Sequence, residues 1–282
     1  METNIQGFIG CSSPYAEARA VLFGAPFDST TSFRPGTRFG PAAMRSESFG
    51  IETYSPYQDR DLEDLGVFDA GDLDLPFGNA AAAIEAIEAA AAEILADGKT
   101  PVLLGGEHLV TLGAVRAAAK KYPGLRLIHF DAHADLRSDY MGESLSHASV
   151  IRRCHDILGD GRIFQFGIRS GSREEMRWSA GRTTMEKFRA ETVGAAVKEI
   201  GEAPVYITLD LDVTDPAEFP GTGTPEAGGL RFAELLKALL ALRGLNVKAF
   251  DLCELSPHYD HSGASTALAC KTLREMLLAY CG

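Results

Sequence analysis

The stretch Leu127–Asp135, reading L-I-H-F-D-A-H-A-D, begins as an apolar run and ends in residues that bind cations. Asp131, His133 and Asp135 are spaced i, i+2, i+4. In an extended chain all three side chains point to one face. Two hard carboxylates and an imidazole on one side of a strand end make a divalent-ion site. Mixed oxygen and nitrogen donors suit Mn²⁺ or Zn²⁺, with Fe²⁺, Co²⁺ and Ni²⁺ open. The plainer alternative is a helix-entry loop whose acids cap backbone N–H groups. A strand that runs from core residues straight into three ionisable ones has a poor packing reason to do so.

The same pattern recurs along the chain. P-V-L-L at 101–104 runs into Gly105-Gly106-Glu107-His108, where paired glycines let the backbone bend closely and set His108 in a strand-to-helix turn. P-V-Y-I-T-L at 204–209 runs into Asp210-Leu211-Asp212, two carboxylates again on one face. A strand at 247–253 runs into Glu254. Of these seven residues six are good ligands for a pair of divalent ions, with some carboxylates bridging. Asp72 and Asp74 follow another strand with no histidine nearby and read as structural. The Gly-rich segment at 220–229 lacks G-K-[ST] and is no phosphate loop.

Regular elements must bring these ends together. Strand candidates lie at 20–25, 66–70, 101–104, 125–130, 162–167, 182–188 (weak), 204–209 and 247–253. Helical patterns lie between them at 79–97, 109–121, 190–200, 232–242 and 264–280, with another starting near 148. Asn79 is a natural N-cap and Gly98 a natural stop. The alternation predicts a parallel sheet with helices on both faces. In such sheets ligands bind at the carboxyl ends of strands. Residues 1–18 read as an irregular arm and 55–64 as a polar loop. The turn-rich segment 26–40 either roofs the site or merely connects elements. No linker or repeat divides the chain, so a single domain over 1–282 is expected.

Bulk properties narrow the function. A net charge of -12 and a pI near 5.1 leave no basic stripe to neutralise phosphates, so nucleic acid is not an expected partner. Such a field would draw a cationic substrate. Five scattered cysteines without C-x-x-C suit a reducing, cytoplasmic setting. The opening METNIQGFIG lacks the charged and apolar regions of a secretion signal. No apolar run approaches membrane-spanning length, so no membrane is expected as a partner.

The motifs G-G-E-H at 105–108, D-A-H-A-D at 131–135, S-H at 146–147, D-L-D-V-T-D-P at 210–216 and E-L-S-P at 254–257 together resemble the ureohydrolases, the arginase/agmatinase family. The resemblance runs in order over nearly the whole chain. F-R-P-G-T-R-F-G-P at 33–41, S-P-Y-Q-D-R-D-L at 55–62 and L-P-F-G-N at 75–79, with the short length, look most like the agmatinase branch of bacteria. The resemblance implies a three-layer α/β/α fold with a central, mostly parallel eight-stranded sheet. It implies two Mn²⁺ ions held by His108, Asp131, His133, Asp135, Asp210 and Asp212, with Asp131 and Asp210 bridging. It gives His147 the part of a proton shuttle and Glu254 the part of the acid that pairs with a substrate guanidinium. It implies homo-oligomers, trimers or hexamers. The reaction implied is hydrolysis of a small guanidino compound, agmatine first, to urea and an amine, here putrescine, in polyamine biosynthesis.

Some positions depart from the family's pattern. Glu107 stands where many members have Asp, and Ala148 where Gly is usual; neither is an expected ligand. Arg137 occupies the position where arginases carry Asn, which disfavours arginine. Facing the pocket, Arg137 would suit a carboxylate tail such as guanidinobutyrate. Turned outward toward Asp139 or Glu143, it would leave agmatine unhindered. Two other classes compete: a metal-binding scaffold without activity and an amide hydrolase of related topology. The first would lack ligands, and the second lacks the paired-histidine set. His155 reads as a surface residue and His258 and His261 as loop residues at the pocket rim, while Trp178 has no assigned place.

Overall fold

The computed structural model describes residues 7–282. Eight strands form the central sheet: β1 Ala20–Ala25, β2 Val67–Asp72, β3 Thr100–Gly105, β4 Arg126–Phe130, β5 Ile163–Ile168, β6 Thr184–Lys187, β7 Pro204–Asp210 and β8 Asn246–Cys253. Their order across the sheet is β2-β1-β3-β8-β7-β4-β5-β6, and every pairing is parallel. Buried on both faces, these strands need apolar side chains in both directions. In β1, Ala20 and Leu22 face one core while Val21, Phe23 and Ala25 face the other.

Helices cover both faces. On one side pack α2 (Ala80–Ala96), α3 (Thr111–Lys121) and α4 (Val150–Leu158), whose Ile84, Leu112 and Ile151 join the core there. On the other lie α1 (Gly40–Glu47), α6 (Val193–Ile200), α7 (Phe232–Ala241) and α8 (Ala264–Tyr280), contributing Met44, Val193, Leu235 and Leu273. The expected three-layer, eight-stranded arrangement is observed. Asn79 caps α2 by accepting the Ala82 N–H at 3.1 Å, and Gly98 beyond it has φ +76°. Among the described residues no helix is long and apolar enough to cross a membrane.

Three elements differ from expectation. The segment 55–64 is not wholly loop, since Tyr54–Ser55 and Arg60–Asp61 form a small antiparallel pair pinned by Gln58 Nε2 to the Glu275 carbonyl at 2.9 Å. Helix α1 and α5 (Arg173–Ser179) are too short to show a full apolar period in the sequence. Helix α5 is nonetheless announced by the Ser172/Glu175 capping box. Of the N-terminal arm, residues 1–6 lie outside the described residues; over 7–18 the chain is irregular, with one bridge from Ser12 to Phe68. Asp72 pairs with Arg45 of α1, the structural use expected of it.

Candidate metal centre and active site

The four central strands β3, β8, β7 and β4 lead into His108, Glu254, Asp210 and Asp131, at or just past their last residues. Adjacent parallel strands thus deliver all the expected residues to one edge of the sheet. The extended geometry expected for 131–135 does not hold. β4 stops at Phe130, and Asp135 has φ 52°, a left-handed backbone that non-glycine residues rarely adopt. The turn therefore splits the three side chains between two clusters instead of lining them along one face.

In the inner cluster, His108 Nδ1 lies 3.1 Å from Asp131 Oδ2, 3.1 Å from Asp135 Oδ2 and 3.5 Å from Asp210 Oδ2. In the outer cluster, His133 Nδ1 lies 3.0 Å from Asp212 Oδ2 and 3.5 Å from Asp131 Oδ1. Asp131 offers one oxygen to each. Asp210 turns its other oxygen to the Asp212 N–H at 2.8 Å, and Asp212 turns its other one to the Ala132 N–H at 3.1 Å. These backbone bonds leave the remaining oxygens aimed at the imidazoles. His108, Asp131, Asp210 and Asp212 are buried, while His133 is partly open.

So many buried carboxylates repel one another unless a cation lies among them. Burial and the neighbouring Asp131 push the Asp135 carboxyl up to about 7. Burial and Asp212 hold Asp210 well above the usual carboxylate range. Burial disfavours a charged His108, but Asp131 and Asp135 outweigh it and hold the ring well above an ordinary histidine. Burial likewise opposes ionised Asp131, yet His108 and His129 bring it well below. The donor set fits divalent ions: hard oxygens with one imidazole per cluster. Asp131, His133 and Asp212 offer ligand atoms within 4.8 Å of one another, as do His108, His129 and Asp131.

Glu254 stands beside the inner cluster. It is buried with φ 69°, and its Oε1 accepts the His108 backbone N–H at 2.8 Å. A Cβ at Gly223 would sit 3.7 Å from Glu254 Oε2 and only 2.9 Å from the Arg34 carbonyl, so glycine keeps this approach open. Burial pushes the Glu254 carboxyl well up. A cavity of about 350 Å³ leads in from solvent, lined by Ser32, His133, Asp135, Arg137, Tyr140 and His147 among others.

The segment 26–40 does roof the site. Its Phe27 carbonyl would clash at 2.1 Å with any Cβ on Gly106, which explains the glycine there. Buried Glu107 accepts Thr30 N–H at 2.8 Å and both the Thr30 and Thr31 hydroxyls. Burial lifts its carboxyl to about 7. Thr30 Oγ1 in turn accepts the His147 N–H at 3.0 Å, and Ser32 Oγ meets His147 Nε2 at 3.0 Å. Burial, then the neighbouring His133 and His108, lower His147 to about 4, so its ring is neutral near neutral pH.

Other residues missed or left open in the sequence find places. Arg137 pairs with neither Asp139 nor Glu143. Its Nε lies 3.7 Å from Glu175 Oε2 and its guanidinium stacks over Tyr140 at 4.8 Å, because α5 sets a buried carboxylate beside it. His155 packs edge-on against Trp178 at 4.6 Å and meets Asp160 at 2.7 Å. His258 stacks on Phe39 at 4.8 Å. His129 and Thr208, polar residues inside apolar strands, contact the clusters from behind, and Asp251 holds Thr208 from one strand further on. For His129 and Thr208 the signal in the sequence is position: they stand two residues before Asp131 and Asp210 and so on the same face, while Asp251 stands three before Glu254.

A parallel three-layer fold with histidine–carboxylate clusters at its carboxyl edge defines a metallohydrolase architecture. The family model described as Arginase family matches residues 18–279. The chain is 48% identical over 277 residues to the agmatinase of Bacillus subtilis (strain 168), covering 97% of this chain and 96% of that one. It is 37% identical over 280 residues to the guanidinobutyrase of Pseudomonas aeruginosa, covering 93% and 86%. The solved agmatine ureohydrolase of Thermoplasma volcanium superposes with a TM-score of 0.90 at 35% identity, over 98% of this chain and 94% of that one. The chain belongs to the arginase family of hydrolases acting on guanidino compounds.

Proposed function

We propose that the chain, as one catalytic unit over residues 1–282, hydrolyses agmatine to urea and putrescine, a step of polyamine biosynthesis. The observation that carries this reading is Asp131, whose two oxygens face two separate histidines at 3.1 and 3.5 Å. A shared carboxylate of this kind suits a pair of divalent ions, Mn²⁺ first. His108, Asp131, Asp135 and Asp210 would hold one and His133, Asp131, Asp210 and Asp212 the other. When bound, such a pair lowers the pKa of a water enough to make it a nucleophile near neutral pH.

The chain's own residues do the rest. Glu254 Oε1 is fixed by the His108 N–H, which leaves Oε2 to receive the planar guanidinium and orient its carbon. His147, neutral and held by Ser32, accepts and returns a proton, delivering it to the departing amine nitrogen. The roof over 26–40 limits water at the reacting carbon. Glu175 beside Arg137 offsets that cation and supports a substrate with a cationic tail. One observation favours a second reading: Arg137 lines the cavity, where it would suit the carboxylate of 4-guanidinobutyrate. Five buried free cysteines support a reducing, cytoplasmic setting. We read the working form as a homo-oligomer, a trimer or hexamer.

The test is urea release by the Mn²⁺-loaded protein from agmatine, arginine and 4-guanidinobutyrate at equal concentration. Preference for agmatine supports the first reading. Preference for guanidinobutyrate moves the assignment to the second, and urea from none of them overturns both.

A further inference from the structure

The strand register places four buried polar residues in one row across the sheet. Gln165 of β5 stands opposite His129 of β4, His129 opposite Thr208 of β7, and Thr208 opposite Asp251 of β8. All four have 0% exposure. A row of buried polar groups in an otherwise apolar sheet is costly unless each is satisfied, and here each bond has a direction that the chemistry fixes.

Gln165 Nε2 lies 3.0 Å from the Ala134 carbonyl oxygen, which only accepts, so the amide cannot be flipped. The same nitrogen lies 3.1 Å from His129 Nδ1, and the Thr183 hydroxyl donates to Gln165 Oε1 at 3.1 Å. His129 Nδ1 therefore accepts, and a neutral ring must carry its hydrogen on Nε2. That nitrogen faces Asp131 Oδ2 at 2.8 Å as a donor and has no free lone pair. At the other end of the row, the Thr208 hydroxyl donates to Asp251 Oδ1 at 2.7 Å, and Tyr206 donates to Asp251 Oδ2 at 2.6 Å. Thr208 Oγ1 is then the acceptor for His108 Nε2 at 2.8 Å, which leaves His108 Nδ1 as the nitrogen that meets the three carboxylates.

We infer that the row Gln165–His129–Thr208–Asp251 is a positioning layer that sets the tautomers of His129 and His108. His129 is in this inference not a ligand, although it stands among atoms that could hold an ion. Its N–H pins the rotation of the Asp131 carboxylate so that Oδ1, which also accepts the His133 N–H, faces the outer cluster. Thr208 and Asp251 present the bare nitrogen of His108 to the inner one. The inference rests on the proposed pair of divalent ions, and its tests separate the two claims.

The first test is the ring ¹⁵N spectrum of the histidine-labelled, Zn²⁺-loaded protein. The expected result is a proton-bearing Nε2 and a bare Nδ1 on His129, with a metal-shifted Nδ1 on His108. A bare or metal-shifted Nε2 on His129 overturns the inference. The second compares Mn²⁺ affinity and stoichiometry in His129→Leu, which removes the partner of Asp131, and Thr208→Val, which removes the partner of His108. Loss of the outer partner of a ligand typically lowers metal affinity about 10- to 100-fold. Both variants are expected to fall in that range with two ions still bound, and Thr208→Ser to return to within about threefold of the parent. Unchanged affinity in both variants overturns the positioning role. A parent protein that binds fewer than two ions defeats the proposed function instead.

Discussion

The two histidine–carboxylate clusters use the same residue types at different depths. His108 has 1% side-chain exposure, three carboxylates within 3.5 Å and the Thr208 hydroxyl behind it. His133 has 26% exposure, two carboxylates within 3.5 Å and a wall of the substrate cavity as its setting. Depth separates the two: the inner cluster is closed off from solvent, and the outer one opens onto the cavity. Asp131 joins them.

Removing that join has the largest expected effect. Asp131→Ala should lower urea release by about a thousandfold or more, since several kcal/mol of transition-state stabilisation leave with the ions. Metal analysis of the desalted variant should find neither ion retained; full turnover with two ions per chain would sink the assignment. The next effect separates the clusters. His133→Ala should retain the tighter ion and His108→Ala should lose it, and graded chelation of the parent should strip the outer ion first. Release of both together would dissolve the asymmetry.

A smaller effect tests the roof over the outer side. Ser32→Ala removes the partner of His147 Nε2. It should lower kcat about tenfold, less than the roughly 100- to 10,000-fold of a general acid–base group itself because His147 stays in place, with KM nearly unchanged. An unchanged kcat removes Ser32 from the proton path. The smallest effect is on stability. His147 sits at about 4 in the fold, below the value near ~6.5 of an unfolded histidine. Between these values the unfolded chain binds more protons, so this group's contribution to stability rises with pH across the window and is lost as pH falls. Chelator-treated protein should lose Tm as pH drops through that range, and His147→Gln should lose less; equal losses would contradict the shift.

The sheet and most of the candidate site were legible because both follow from local pattern. The central strands are short apolar runs, whereas the edge strands Val67–Asp72 and Thr184–Lys187 carry charged residues and are weaker signals; His108, Asp131, Asp210 and Glu254 follow the apolar runs at the edge where parallel sheets bind ligands. A pair of ion sites was legible, but how the turn at 131–135 shares its side chains between them was not, because Asp135 has a left-handed φ that no spacing rule supplies. For Arg137 the sequence offers the pocket or the neighbours Asp139 and Glu143; the structure sets it on the cavity wall beside Glu175, on a helix of seven residues that periodicity could not show. Glu107 is not an expected ligand, and its part in tying Thr30 to the end of β3 is invisible in the sequence because it spans 77 residues. The polar row was legible only in part: position puts His129 and Thr208 on the faces of Asp131 and Asp210, but that they line up with Gln165 and Asp251 depends on register.

The left-handed conformations of Asp135 and Glu254 have a consequence for how this protein can change. Each costs about 1–3 kcal/mol relative to a relaxed backbone, and glycine would remove most of that cost. Glycine would also take a carboxylate out of a crowded, buried set. A laboratory lineage selected for heat resistance alone should therefore drift toward glycine at 135 and 254, gaining melting temperature as it loses turnover. Persistence of the two acids under such selection would mean that the native state depends on them for more than catalysis.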